Sequence, residues 1–198
     1  MDWRFLPELP ASGHALLLGT PDEGLSASFI VVTMPYPPDR LPDAAAPFDL
    51  IALPDGLPAM PLLPELAQRL QPDGALYLSF ASPWQRLWQP HRNAEKTPGR
   101  TLRRVQQQLI QAGLQPIAVY GALPDHVYPA YLFPLTPAAL QYIFQQTVSL
   151  KFTRRRASVA GQRLAHIFTY PSLTRALAHF LPAYAVISRR GGASQPYA

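Results

Sequence analysis

Two titratable side chains follow predicted strands and could move protons. Asp55 comes directly after a predicted strand, at the sheet edge where open α/β folds bind ligands, so its carboxylate could act as a general base or orient a substrate amine. His126 lies beside Asp125 after a later predicted strand and could transfer a proton near neutral pH. We name Asp55 and His126 as candidate catalytic residues. The alternative is structural, because Pro54-Asp55-Gly56 is a typical turn and a histidine in an exposed turn needs no partner.

The charges are distributed unevenly along the chain. Residues 1–150 contain 9 Lys and Arg and all 12 Asp and Glu, whereas the last 48 residues contain eight basic residues and no acid. The candidate residues for binding an anionic partner are Arg154, Arg155, Arg156 and Arg163. They predict a helix with a cationic face that docks onto a lipid surface, a phosphate or an acidic protein partner. The alternative is a solvated surface helix.

The composition excludes several classes of protein. The 198 residues include no Cys, which excludes disulfides, thiolate nucleophiles and zinc–thiolate sites, and the five His are too scattered to predict a metal centre. The hydrophobic fraction of 48% is too high for a disordered chain, yet no run approaches the roughly 18 apolar residues that span a bilayer. No signal-peptide pattern is visible. We expect a cytoplasmic protein, with a peripheral membrane location as the alternative.

Short apolar runs separated by Pro, Gly and Asp predict alternating strands and helices. The first three predicted strands cover residues 14–19, 29–33 and 48–53. The connection over residues 35–47 contains five prolines, which excludes a helix or a central strand there. We therefore expect an extended connection before the third strand.

The clearest unit joins the third strand to a fourth. Pro64 starts a predicted helix with Leu63, Leu66 and Leu70 at helical spacing. Pro72-Asp73-Gly74 is predicted to end it as a turn, and residues 75–80 form the next strand. A strand, a helix and a strand within about 33 residues fit a right-handed crossover, which predicts that the two strands are parallel.

The same pattern repeats once. A helix is predicted over residues 102–110 with Gly113 as its cap, and a strand follows over residues 116–120. The apolar stripe of this helix comprises Leu102, Val105, Leu109 and Ile110. Further helices are predicted to begin at Thr136-Pro137 and at Ser172.

The C-terminal part is predicted to be helical before a last strand. The basic stretch over residues 151–166 is predicted as a helix, and residues 184–188 as the last strand. Together the elements predict a three-layer α/β sandwich with an added helical region. We expect one domain over residues 1–190, with residues 121–182 as a helical insertion and residues 191–198 as a tail.

Two tryptophans lie in the long connection over residues 81–100. Trp84 and Trp88 are four residues apart and would share one face of a helix. They could form a lid over a substrate, but packing on the core or contact with a partner is the favoured interpretation.

The order of these elements resembles the class I S-adenosylmethionine-dependent methyltransferases. Phe48-Asp49-Leu50-Ile51-Ala52-Leu53-Pro54-Asp55 is similar to the fourth strand of that family, and residues 70–78 to its glycine turn and fifth strand. Residues 102–120 resemble the next helix and sixth strand of the family. Residues 123–135 resemble a segment that is seen in some members that act near polysaccharide or lipid-linked sugar pathways. Residues 181–187 would be the seventh strand, which inserts antiparallel in the family. The resemblance implies a mostly parallel, Rossmann-like sheet.

The resemblance implies S-adenosylmethionine as the cofactor, bound at a glycine-rich turn after the first strand. The residues that match this turn are Gly19, Thr20, Asp22 and Gly24. In the family the second strand ends in an acidic residue that binds the ribose, whereas this chain has Thr33 and Met34 there. Only nine residues separate Gly19 from Phe29, fewer than a parallel crossover requires. We therefore predict that part of the cofactor-binding half is deleted.

Three functional hypotheses follow. The preferred one is a diverged, non-catalytic methyltransferase-like domain that acts as a binding or structural subunit without a cofactor. The second is an active methyltransferase that uses S-adenosylmethionine on a sugar, a lipid or a small metabolite. The third is a peripheral membrane or large-complex accessory protein that docks through its basic C-terminal part. No motif predicts nucleic-acid binding.

Overall fold

Seven strands and four helices make up the regular structure of the described residues. The computed structural model describes residues 13–19, 25, 29–34, 47–56, 58–88, 99–123, 131–152, 176 and 178–191. The strands are β1 (His14–Leu18), β2 (Ile30–Met34), β3 (Phe48–Leu53), β4 (Leu70–Ala81), β5 (Leu114–Leu123), β6 (Tyr131–Pro134) and β7 (Ala183–Arg190). The helices are α1 (Leu63–Gln68), α2 (Gln85–Trp88), α3 (Leu102–Gln111) and α4 (Pro137–Phe152), with 3-10 turns at Met60–Leu62 and Ala178–Phe180.

All seven strands join one sheet in the order β2-β1-β3-β4-β7-β5-β6. β1 pairs in parallel with β2 and with β3, and β3 pairs in parallel with β4. β7 pairs antiparallel with both β4 and β5, so β5 runs in the same direction as β4, and β6 pairs antiparallel with β5. The predicted parallel crossover and the antiparallel insertion of the last strand are confirmed. The sheet is a mixed α/β sheet with the antiparallel last strand between β4 and β5, as the resemblance implies.

The central strands are buried on both faces of the sheet. On one face, α1, α3 and α4 pack on the sheet, and Val105 and Leu109 of α3 are fully or almost fully buried. On the other face, Leu17, Tyr77 and Ile187 pack with Leu25. Burial on both faces explains why residues 15–18 of β1, 50–53 of β3 and 75–78 of β4 are continuous apolar runs in the sequence rather than alternating ones.

The predicted turn at Pro72-Asp73-Gly74 is wrong, because these residues belong to β4. The helix before it ends at Gln68, and β4 already begins at Leu70, which pairs with Phe48. Along the ladder, the next pair joins Leu50 to Ala75, so β4 carries three extra residues at this point as a bulge. Gly74 is needed there, since a Cβ atom would lie 3.0 Å from the Phe48 carbonyl oxygen.

Helix α3 agrees with the prediction except at one residue. Its cap Gly113 adopts a φ of 81°, the left-handed conformation that glycine favours. Ile110, which was predicted to belong to the apolar stripe, is 62% exposed. The reason is angular: Val105 and Leu109 are four residues apart and face the sheet, and the next residue is rotated about 100° away from that face.

The region after β5 contains more strand than predicted. β5 continues to Leu123 and β6 lies within residues 121–182, which were expected to be helical. Helix α4 begins as predicted, and Thr136 Oγ1 accepts a hydrogen bond from the Ala139 amide at 3.3 Å. The first two residues of the stretch 151–166 lie in α4, whereas the rest of that stretch and Ser172 lie outside the described residues. No helix in the described part of the chain is both long and apolar enough to cross a membrane.

Two buried tyrosines predict a loss of stability at alkaline pH. Burial raises the pKa of Tyr184 to about 12, and burial also holds the pKa of Tyr77 well above 10.0. Both phenols are neutral in the folded chain, so unfolding above about pH 10 releases protons and is favoured. We expect the free energy of unfolding in urea to be steady up to about pH 10 and then to fall by on the order of 1 kcal/mol for Tyr184 by about pH 11.

The matched variant for this prediction is Tyr184→Phe. It removes one titrating group and should give a shallower fall above about pH 10, while losing the hydrogen bond from the Tyr184 hydroxyl to the Ala178 carbonyl at all pH values. Identical alkaline slopes for the wild type and the variant would contradict the assignment.

Candidate functional site

The strand order reverses between β1 and β3. β2 lies on one side of β1, and the chain then continues through β3 and β4 on the other side. In open α/β sheets, ligands bind outside the carboxyl ends of the strands at such a switch point. Gly19 follows β1, and Asp55 follows β3 within the turn Pro54-Asp55-Gly56. Two of the predicted site residues therefore lie on adjacent strands at the switch point.

Gly19 follows β1 in a backbone conformation that favours glycine. Its φ is 151°, a value that side-chain-bearing residues rarely adopt. Among the described residues, the atom nearest to a Cβ placed on Gly19 would be Pro54 Cδ, at 4.0 Å. A ligand could thus approach the backbone closely here, and the same distance shows that the Gly19 turn and the turn after β3 are neighbours.

The turn that carries Asp55 is fixed to β4 by Ser79. The Ser79 hydroxyl donates a hydrogen bond to the Pro54 carbonyl at 2.5 Å, and the Gly56 amide donates to the Ser79 carbonyl at 2.8 Å. These two bonds lie on either side of Asp55, and Ser79 itself is fully buried. Gly56 is also sterically required, because a Cβ atom there would lie 1.7 Å from Leu78 Cδ1. The Asp55 backbone is therefore held in one position.

Ser79 was not identified from the sequence. The available signal was a single hydroxyl within the apolar run of residues 75–80. A buried polar side chain needs a hydrogen-bond partner, which indicates a neighbouring element but does not say which one.

The other carboxylates of the described residues lie away from the switch point. Asp49 accepts a hydrogen bond from the His14 amide at 2.9 Å near the amino ends of β1 and β3. Glu65 forms an ion pair with Arg69 at 2.9 Å along α1, and Asp73 lies in the bulge of β4. The described residues contain no group of three or more acidic or histidine side chains that could hold a metal ion. Among the described residues, the titratable side chain at this edge is the Asp55 carboxylate.

A second group of hydrogen bonds lies at the end of β4. The Ser82 hydroxyl donates to the Leu181 carbonyl at 2.5 Å, and the Ser82 amide donates to the Pro182 carbonyl at 2.9 Å. The Trp84 amide donates to Ser82 Oγ at 3.1 Å. As a result, Trp84 packs on Phe180, with ring centroids 4.9 Å apart. Trp84 lies just before α2 and contacts a residue far along the chain.

Several predicted site residues lie outside the described residues and stay predictions. They are Thr20, Asp22 and Gly24 of the glycine-rich turn, His126, and Arg154, Arg155, Arg156 and Arg163 of the basic cluster.

S-adenosylmethionine fits the described residues only in part. Gly19 offers the close backbone approach that the cofactor requires, but Thr33 at the end of β2 is an exposed, uncharged residue where a ribose-binding carboxylate is expected.

Comparisons with solved structures find distant similarity to several proteins, three of which are described here. An S-adenosylmethionine-dependent methyltransferase from Mesorhizobium loti is 13% identical, with 94% of each chain covered and a TM-score of 0.46. A chain from the complex of the Haloferax volcanii Trm112 methyltransferase activator with a candidate methyltransferase is 14% identical, with 96% of this chain and 87% of that chain covered and a TM-score of 0.46. A candidate sarcosine dimethylglycine methyltransferase from Galdieria sulphuraria is 12% identical, with 92% and 80% covered and a TM-score of 0.45. No protein-family model matches the sequence, and no curated protein is similar enough to count as a relative.

Two buried serines of the sheet allow a matched test of the Ser79 contact. Ser79→Ala removes the donor to the Pro54 carbonyl and should lower the free energy of unfolding by about 1–2 kcal/mol. Ser188 Oγ is equally buried but has no hydrogen-bond partner within the described part of the chain, so Ser188→Ala should leave stability unchanged or raise it slightly. Urea unfolding measures both. Equal losses in the two variants would show that the Ser79 bond does not hold the turn.

Proposed function

We propose that this chain is a diverged methyltransferase-like domain that works as a binding subunit rather than by methyl transfer. The observation that carries this proposal is the outer edge of β2. Among the described residues β2 is the outermost strand, and Ile30 and Val32 are 65% and 38% exposed on one of its faces. In the doubly wound order, a further strand would pair with the outer edge of β2, and its helix would cover the exposed face. These two elements would complete the nucleotide-binding half.

The end of β2 supports the same proposal. Thr33 pairs with Leu17 near the carboxyl end of β1 and carries no charge. A carboxylate at this point would accept two hydrogen bonds from ribose hydroxyls, and a threonine cannot replace that bidentate contact. An S-adenosyl compound would therefore lose its most specific polar contact at this edge.

An active methyltransferase is the second candidate, and the pair Gly19 and Asp55 favours it. In this case the cofactor would supply an electrophilic methyl group, with its amino acid portion near Gly19. Asp55, held by the Ser79 contacts, would orient the acceptor or take its proton. The acceptor in this candidate is a sugar, a lipid or a small metabolite. Much of the rate of such a transfer comes from holding the acceptor close to the methyl group.

A titration of the purified protein with S-adenosylmethionine and S-adenosylhomocysteine separates the two candidates. The binding-subunit proposal predicts no saturable heat in calorimetry up to about 1 mM ligand. The active-enzyme candidate predicts stoichiometric binding at about micromolar concentrations.

The control is Gly19→Arg, which places a long side chain at the backbone that follows β1. Saturable binding to the wild type that this variant abolishes would overturn the binding-subunit proposal and support the enzyme. The urea unfolding curve of the variant checks that it remains folded.

A further inference from the structure

The outer edge of β2 presents hydrogen-bonding groups that no described strand uses. The Ile30 amide points toward β1, where the Gly13 carbonyl accepts its hydrogen bond at 2.8 Å. Because alternate residues of a strand point in opposite directions, the amides and carbonyls of Val31 and Thr33 point away from β1. No described residue forms a hydrogen bond with these outward groups. Such an edge is a template for pairing with another strand.

One face of β2 is apolar and exposed next to this edge. Ile30 and Val32 are 65% and 38% exposed on that face, whereas Val31 packs on the other face with Leu25. β2 contains neither a charged residue nor a proline, which are features that protect an edge strand from pairing. β6, the other outermost strand of the described sheet, ends in Pro134, which has no amide hydrogen. β2 is therefore better suited to pairing than β6.

We propose that two copies of this chain pair through β2, antiparallel and related by a two-fold axis at Val32. In this register Val31 of one copy lies opposite Thr33 of the other, and each such pair exchanges two hydrogen bonds. The two pairs together use every outward amide and carbonyl of Val31 and Thr33. The two-fold axis makes this interface self-complementary, so pairing at this edge stops at the dimer.

The residues on either side disfavour the two neighbouring registers. A two-fold axis at Val31 would place Thr33 opposite Phe29 of the other copy, but the Phe29 amide already donates to a carbonyl of its own chain at 3.0 Å. An axis at Thr33 would place Val31 opposite Pro35, which has no amide hydrogen. Each alternative therefore loses hydrogen bonds relative to the proposed axis.

The side chains and the charge of β2 also suit a second copy. Residues opposite each other in an antiparallel pair have their side chains on the same face, so Ile30 and Val32 of both copies would form one apolar strip. Because β2 is uncharged, no like charges meet across the axis. Two five-residue strands bury less area than the roughly 1,200 Å² at the lower limit of stable interfaces. We therefore expect a weak dimer that forms as the protein concentration rises.

The dimer rests on the proposed function in one respect, because both require β2 to be the outermost strand of its own chain. The β2 strand of the second copy would occupy the place of the further strand in the doubly wound order. Pairing at this edge does not involve Gly19 or Asp55. The cofactor titration and the dimer can therefore fail independently.

Disulfide formation in a Val32→Cys variant tests the register, because the chain contains no cysteine of its own. Val32 would face its own copy in a non-hydrogen-bonded pair, where Cβ atoms are about 4.5–5.5 Å apart. We expect this variant to form a covalent dimer under mild oxidation. Ile30→Cys is the matched control and should stay monomeric, since its two copies would be about 14 Å apart along the strands. The control is stringent, because Ile30 is the more exposed of the two side chains.

Sedimentation equilibrium up to about 1 mM protein measures the non-covalent dimer. Ile30→Lys would place like charges on the apolar strip and should weaken the dimer by at least about tenfold. Ile110→Lys changes a similarly exposed isoleucine on α3 and should leave the dimer unchanged. Thr33→Pro removes an outward amide without disturbing the ladder to β1 and should also weaken the dimer, whereas Thr33→Ala keeps that amide.

Three results would overturn the proposal. They are a wild type that remains monomeric up to about 1 mM, equal disulfide formation in Val32→Cys and Ile30→Cys, and a dimer that neither Ile30→Lys nor Thr33→Pro weakens.

Amide exchange at several protein concentrations separates this failure from failure of the proposed function. A monomer with fast exchange at Val31 and Thr33 would overturn the dimer and leave the binding-subunit proposal intact. Protection of both amides at every concentration would overturn both, because a strand of the same chain would then pair with the edge. We expect protection of the two amides that increases with concentration.

Discussion

The pairing of β7 between β4 and β5 is the interaction on which the rest of the structure depends. Two antiparallel ladders hold β7, and they connect the four parallel strands on one side to β5 and β6 on the other. Tyr184 and Val186 pack on one face of the sheet, and Ala185 and Ile187 pack on the other. Loss of this strand would divide the sheet and expose both halves of the core.

The same pairing positions two groups of hydrogen bonds through β4. Ser79 and Ser82 lie near the carboxyl end of this strand, and each bonds to a carbonyl of a different loop. Ser79 holds the turn that carries Asp55, whereas Ser82 brings the segment before β7 against the residues after β4. A hydroxyl within a buried strand is costly unless it is bonded, so these contacts couple the sheet to its loops.

Much of the sheet could be predicted from the sequence, because its signals are local. Buried strands are continuous apolar runs, and a strand, helix and strand of the right length form a parallel crossover. The proximity of Gly19 and Asp55 follows from the rule that parallel strands end at one edge. The contacts of Ser82 with Leu181 and of Trp84 with Phe180 join residues almost 100 positions apart, and no local pattern specifies such partners. The bulge in β4 was missed for a related reason, since Pro72-Asp73-Gly74 is typical of a turn and only the pairing with β3 decides otherwise.

The account of function depends on whether β2 ends the sheet, and amide hydrogen exchange of this strand tests it most directly. The Ile30 amide donates to the Gly13 carbonyl at 2.8 Å, and alternate amides of a strand point in opposite directions. The Val32 amide therefore points toward β1, whereas the Val31 and Thr33 amides point to the outer edge of the sheet. The account predicts slow exchange at Ile30 and Val32 with fast exchange at Val31 and Thr33. Equal protection at all four amides would show that another strand pairs with β2, and would contradict the proposal of a shortened cofactor-binding half.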